Sequence, residues 1–137
     1  APQFNAWRRS EDLGRFARAR EGFDGPIIAL QHVPLFPPGA ADCPYNYLNA
    51  FEIVEAMRRS GVGLSLSGHY HRGLGPLEAE GMVFAAAPAL CEAPFAFLEV
   101  AIADGGITIR RHALEPDLAN RAGGAGPARP PSTPPAG

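Results

Sequence analysis

Apolar positions along this chain follow two periods in turn. Ser10, Glu11 and Asp12, then Leu13, Phe16 and Ala17 on one side and Arg18 and Arg20 near the end, predict a capped amphipathic helix whose acidic start and basic finish suit its dipole. Its apolar side should cover a sheet. Gly22 to Gly25 ends it, and the continuous apolar run from Pro26 to Leu30 predicts a strand buried on both faces. Prolines at 34, 37, 38 and 44 exclude helix and central strand from the next stretch, a stiff loop. Leu48, Phe51, Val54 and Met57 predict a second helix from about Tyr47 to Ser60, its stripe facing the sheet and Gly61 supplying the stop. Gly63 to Ser67 is the next strand, and strand, helix, strand predicts a right-handed parallel crossover. Met82 to Ala85 and Phe95 to Ile102 follow as strands, and the turn Asp104-Gly105-Gly106 leads into Ile107 to His112; these should pair antiparallel.

Residues 1–115 therefore form the folded portion. From residue 116 to 137 Ala, Gly and Pro dominate and apolar periodicity stops, so this stretch is expected to be a disordered tail. With 137 residues and 46% hydrophobic content, the chain has the size and the apolar material of one domain. No apolar run approaches the roughly 20 residues needed to span a bilayer, and no signal peptide is visible, so the expectation is a soluble chain, cytoplasmic by default. The net charge of -2 gives no general attraction to nucleic acid or an anionic membrane, and the absence of lysine reads as a genomic bias. Cys43 and Cys91 are too few and too far apart for a disulfide framework or a Cys-x-x-Cys zinc site. Cys43 can reach the metal edge discussed below, yet none of its neighbours argues for an activated thiolate.

The candidate chemistry lies at the strand ends. Gly68-His69-Tyr70-His71 follows the second strand, and His32 ends the first, so both deliver histidine at the carboxyl edge where ligands of open α/β sheets gather. Neutral imidazole is the commonest protein ligand for transition metals, and an ordinary pKa of roughly 6.5 leaves much of it unprotonated near neutrality. His32, His69 and His71 thus read as metal ligands. Gly68 is expected to free the backbone for the turn that lets the following histidines converge.

Gln31-His32-Val33-Pro34-Leu35-Phe36-Pro37 and Ser67-Gly68-His69-Tyr70-His71, in this order, resemble the second half of the calcineurin-like metallophosphoesterases. The likeness runs from about Trp7 to about His112. The resemblance implies an α/β chain forming the C-terminal half of a four-layer α/β/β/α sandwich, ending in antiparallel strands and the disordered tail. It also implies hydrolysis of a phosphate ester at a centre of two divalent ions, manganese, iron or zinc, with His32 and His69 on one ion and His71 on the other. The family's Asp-x-His, Gly-Asp and Gly-Asn-His motifs have no counterpart here. A truncated reading frame is the expectation, with the missing N-terminal half as the chain's partner and little activity without it. No catalytic residue is assigned, and the substrate-binding residues are unknown. The alternative is a non-catalytic metal-binding or protein-interaction module on the same fold, since three imidazoles and a water are themselves a known zinc arrangement.

Other polar residues carry less. His112 shares the strand face of Thr108 and Arg110 and belongs to solvent. Arg72 offers a forked donor pair that suits a phosphate, but a solvated surface arginine is the preferred reading. Tyr45, Asn46 and Tyr47 precede the second helix at the edge of the site; Asn46 is equally a helix cap, and no role is assigned to the three.

Overall fold

The computed structural model describes residues 6–115; the tail expected from residue 116 lies outside them. Two helices and six strands follow in the order α1 (Ser10–Arg20), β1 (Ile27–Gln31), α2 (Ala50–Arg59), β2 (Val62–Ser67), β3 (Leu74–Ala79), β4 (Met82–Ala86), β5 (Ala96–Ala103) and β6 (Gly106–Ala113). The fold is mixed α/β with two sheets. One has the strand order β1-β2-β4-β3, and the other is the β5-β6 hairpin. Among the described residues no helix is long and apolar enough to cross a membrane.

The crossover read from the sequence is present: β1 and β2 are parallel neighbours with α2 between them, and β2 pairs parallel with β4 in turn. The antiparallel expectation holds for β5 and β6, paired from Ala96 with Ala113 to Ala103 with Gly106, but β4 does not join them and lies in the other sheet, parallel to β2. β4 pairs antiparallel with β3, a strand not expected from its sequence. Leu74-Gly75-Pro76 reads as a turn, and the irregular register between Leu74 and Leu77 shows how the pairing absorbs it. β3 is an edge strand, where proline is tolerated.

Register decides which side chains form the core. Ala29, Ser65 and Phe84 lie side by side on one face, and Gln31, Ser67 and Ala86 form the next row. Phe16 of α1 and Ala50, Ile53, Val54 and Met57 of α2 join Ala29, Phe84 and Ala86 in one cluster. Leu35 and Phe36 from the proline loop complete it, fully buried, so that loop is part of the core rather than a surface strap.

Three expectations need correction. The sheet-facing stripe of α2 is Ala50, Ile53, Val54 and Met57, whereas Leu48 precedes the helix and is 63% exposed, and Phe51 is 68% exposed. At about 100° per residue, positions nine apart such as Leu48 and Met57 fall on opposite sides, so a strict spacing of three cannot keep one face. β1 is not buried on both faces: Ala29 packs with the helices, but Leu30 points to the opposite face and is 74% exposed. Ser10 does not cap α1; Arg9 holds the cap position without a side-chain bond, and Ser10 is already helical.

Side-chain hydrogen bonds hold the segments that frame the site. Asn46 Oδ1 accepts from the Phe36 and Tyr47 amides and its Nδ2 donates to the Phe36 carbonyl, pinning the proline loop to the start of the second helical region. Asn49, buried, exchanges two bonds with the Arg8 backbone at 3.1 and 2.8 Å. Arg8 then reaches Gln31 and Tyr47 with its guanidinium, which also lies over the Tyr47 ring. These bonds give Asn46 and Tyr47 structural duties.

Candidate metal site

The parallel register carries β1 and β2 to their ends together, Gln31 opposite Ser67, and one more bond, Gly68 N–H to the His32 carbonyl at 3.1 Å, extends the ladder. His32 and Gly68 thus end level, and His69 is the first residue to leave the sheet. The Tyr70 amide donates back to the Gly68 carbonyl at 2.6 Å, and His69 sits between them at a φ of 59°. A three-residue turn closed around a central residue of positive φ is the rarer, more strained hand of the γ-turn. Residues in such sparsely populated conformations cluster at functional sites. The turn was expected to fall to Gly68; the structure gives it to His69 instead, and Gly68 has no left-handed backbone.

This turn brings the His69 ring back over the strand end. His69 Nδ1 stands 3.2 Å from His32 Nε2, and the rings meet edge to face with centroids 5.1 Å apart and planes at 81°. Tyr45, from the loop before α2, packs its ring edge-on to His69 at 4.7 Å and lies 5.8 Å from Tyr70. The rings of Tyr45 and His32 therefore flank the imidazole that the turn delivers.

Two nitrogens 3.2 Å apart admit two states. In one, a neutral imidazole donates N–H to the lone pair of the other, at the long end of the hydrogen-bond range. In the other, both lone pairs face one cation; nitrogens each about 2.0–2.1 Å from a shared tetrahedral ion stand roughly 3.3 Å apart. The separation matches the second state in distance. The donor set at this point, two imidazoles, suits zinc or iron, whereas manganese calls for added carboxylate oxygens.

His71 does not join this pair. Its Nδ1 lies 2.7 Å from Glu92 Oε1, in the loop between β4 and β5. Among the described residues, no three of His, Cys, Asp and Glu are gathered closely enough to hold an ion, so three imidazoles around a single zinc are not what the fold assembles. Glu92 escaped the sequence reading because it stands 21 residues from its partner and no local spacing ties the two.

The remaining candidates fall outside the cluster. His112 bonds Glu99 on the neighbouring strand at 2.6 Å and stacks on Phe97, an arrangement of the hairpin alone. Burial pushes the Cys43 thiol up from its ordinary value, with Asp42 adding to the rise and the Tyr45 backbone bond opposing it, so Cys43 is held as a thiol. Cys91 is exposed. A scan against protein-family models gives no match, and a search of curated proteins gives none.

Proposed function

We propose that this chain contributes the histidine-bearing edge of a two-metal phosphoesterase, the C-terminal half of a four-layer α/β/β/α sandwich of the metallophosphoesterase kind. The observation that carries the reading is the approach of His32 Nε2 and His69 Nδ1 to 3.2 Å at the carboxyl ends of adjacent parallel strands. His32 and His69 hold one ion, and His71 contributes to a second. When bound, the ions activate water and neutralise charge on the phosphoryl oxygens of a phosphate ester. This chain's residues hold and orient: His69 is fixed by its turn and by Tyr45, and His32 by its place on the sheet. The carboxylates that complete the centre come from the N-terminal half of the domain, whose strands meet this sheet along the open side of β1. Alone, the chain lacks a bridging carboxylate and turns over little or no ester.

Cobalt titration followed by visible absorption tests the metal reading. The expected result is one saturable cobalt spectrum that disappears in both His32→Ala and His69→Ala while the far-UV circular dichroism stays unchanged. A spectrum that survives His69→Ala overturns the assignment. Hydrolysis of a phosphodiester by the purified chain, abolished by His71→Ala, overturns the expectation that it is incomplete.

A further inference from the structure

Glu92 makes a short polar contact with His71 at the strand-end edge. Its Oε1 lies 2.7 Å from His71 Nδ1. The two side chains are 58% and 57% exposed, and an ion pair that open to water does little for the fold. Its geometry is nevertheless built from the main chain. The Ala87 amide donates to the Ser67 carbonyl at 2.8 Å and the Ala89 amide to the His71 carbonyl at 2.9 Å, so the segment leaving β4 is stitched to the histidine loop. The Phe95 amide then closes on the Glu92 carbonyl at 2.6 Å, turning the chain so that the Glu92 side chain comes back to His71.

The chemistry of the pair is directional. An ionised carboxylate only accepts hydrogen bonds, and a neutral imidazole has one N–H and one lone pair. With Nδ1 facing the carboxylate, the proton belongs on Nδ1 and the lone pair on Nε2, the reverse of the tautomer that free histidine prefers. Among the described residues Nε2 of His71 has no hydrogen-bond partner. Metal-bound histidines in general pass their other N–H to a carboxylate or carbonyl, which sets the ring and strengthens the donor nitrogen.

We infer that Glu92 is a positioning residue for His71, holding the ring with its proton on Nδ1 so that Nε2 is presented to a metal ion. The inference rests on the metal reading of His32, His69 and His71, and deepens it by adding a residue that touches no ion itself. It predicts that the tautomer is set before any ion arrives.

Nitrogen-15 NMR of the imidazoles in the metal-free chain, at about pH 8.5 where imidazoles in general are neutral, reads this directly. The expected result is an Nδ1–H tautomer at His71 that reverts towards Nε2–H in Glu92→Ala and is largely kept in Glu92→Gln, whose amide oxygen still accepts. Zinc titration of the same samples is expected to shift His71 Nε2, with roughly 10- to 100-fold more zinc needed in Glu92→Ala and no change at His32 or His69. An Nε2–H tautomer in the unsubstituted chain, or equal zinc dependence at His71 with and without Glu92, overturns the inference. A normal zinc response at His32 and His69 with His71 unmoved overturns it while leaving the rest of the metal reading intact. No zinc response at any of the three overturns both.

Discussion

Arg20 in the last turn of α1 donates from Nε to the carbonyl oxygen of Ser60, at the end of α2, at 2.9 Å. The same guanidinium also donates to the carbonyls of Phe23, Gly25 and Gly61 at 2.8, 3.0 and 2.9 Å. A helix ends with carbonyls that lack partners and carries partial negative charge there, so one cation serves the ends of two helices and the start of β1 together.

Arg20→Ala is expected to lower stability by about 2–3 kcal/mol in urea unfolding, the range for bonds from a charged donor to groups left without partners. Arg59→Ala, whose ion pair with Glu55 is a long 3.8 Å contact on the surface, serves as the control and should change stability by less than about 0.5 kcal/mol. Equal effects at the two positions would remove Arg20 from its place as the tie between helices.

Glycine substitutions separate two turns that look alike in sequence. Gly68 has an ordinary backbone, and an added Cβ would meet nothing closer than His32 Nδ1 at 3.8 Å. Gly68→Ala should therefore leave the fold intact and stabilise it by about 0.4–1 kcal/mol through the unfolded chain. Gly75, at a φ of +84°, would place a Cβ 2.7 Å from the Phe84 carbonyl oxygen. Gly75→Ala should cost more than about 1 kcal/mol and loosen β3 from β4, visible as faster amide exchange at Leu77 and Glu78.

The corrected face of α2 makes a paired prediction. Met57 is fully buried, and Met57→Ala should cost about 2–5 kcal/mol, the range for a truncated core side chain. Phe51 is largely exposed, and Phe51→Ser should stay within about 0.5 kcal/mol. A large loss at Phe51 would mean that the helix is rotated from its described orientation.

Thiol labelling tests the environment of Cys43. Its raised value keeps the thiol neutral in the folded chain, whereas Cys91 is exposed. Iodoacetamide at about pH 8 should modify Cys91 first and Cys43 with a marked lag, since the thiolate is the reactive form. The sign for stability follows from the same shift. Below the ordinary thiol value Cys43 is protonated in both states and has no effect; as pH rises beyond it, the unfolded chain loses the proton first and the fold weakens. Cys43→Ser should flatten that alkaline decline.

Much of this architecture is legible in the residues, for reasons that differ from element to element. The run Ile27 to Leu30 bounded by glycine and proline before it and by Gln31 and His32 after it declares a strand and its end, because a short β-branched and apolar run between turn signals suits a buried strand. α1 is legible through its acidic start and basic finish. β3 is hidden because Gly75 and Pro76 are turn residues that interrupt it, and only the pairing with β4 on either side of them, at Leu74 and from Leu77 to Ala79, makes it a strand. The approach of His32 to His69 is legible as a shared sheet edge, but the turn that achieves it is not, since nothing local announces that a histidine rather than the preceding glycine takes the positive φ. Glu92 and Tyr45 are brought in by loops, and loop paths depend on bonds between distant backbones.

The four-stranded sheet has two ends of unlike character. β1 at one end pairs with no further strand among the described residues, while β3 at the other carries Pro76, which has no N–H to give, and Glu78, with Glu80 in the turn that follows. In the language of assembly, the sheet has a valence of one. The N-terminal half that we propose meets this sheet along β1 takes up that single adhesive end, and what remains facing water on this side is a blunt strand. Growth from this side then stops, because an open-ended filament requires every member to offer two adhesive ends.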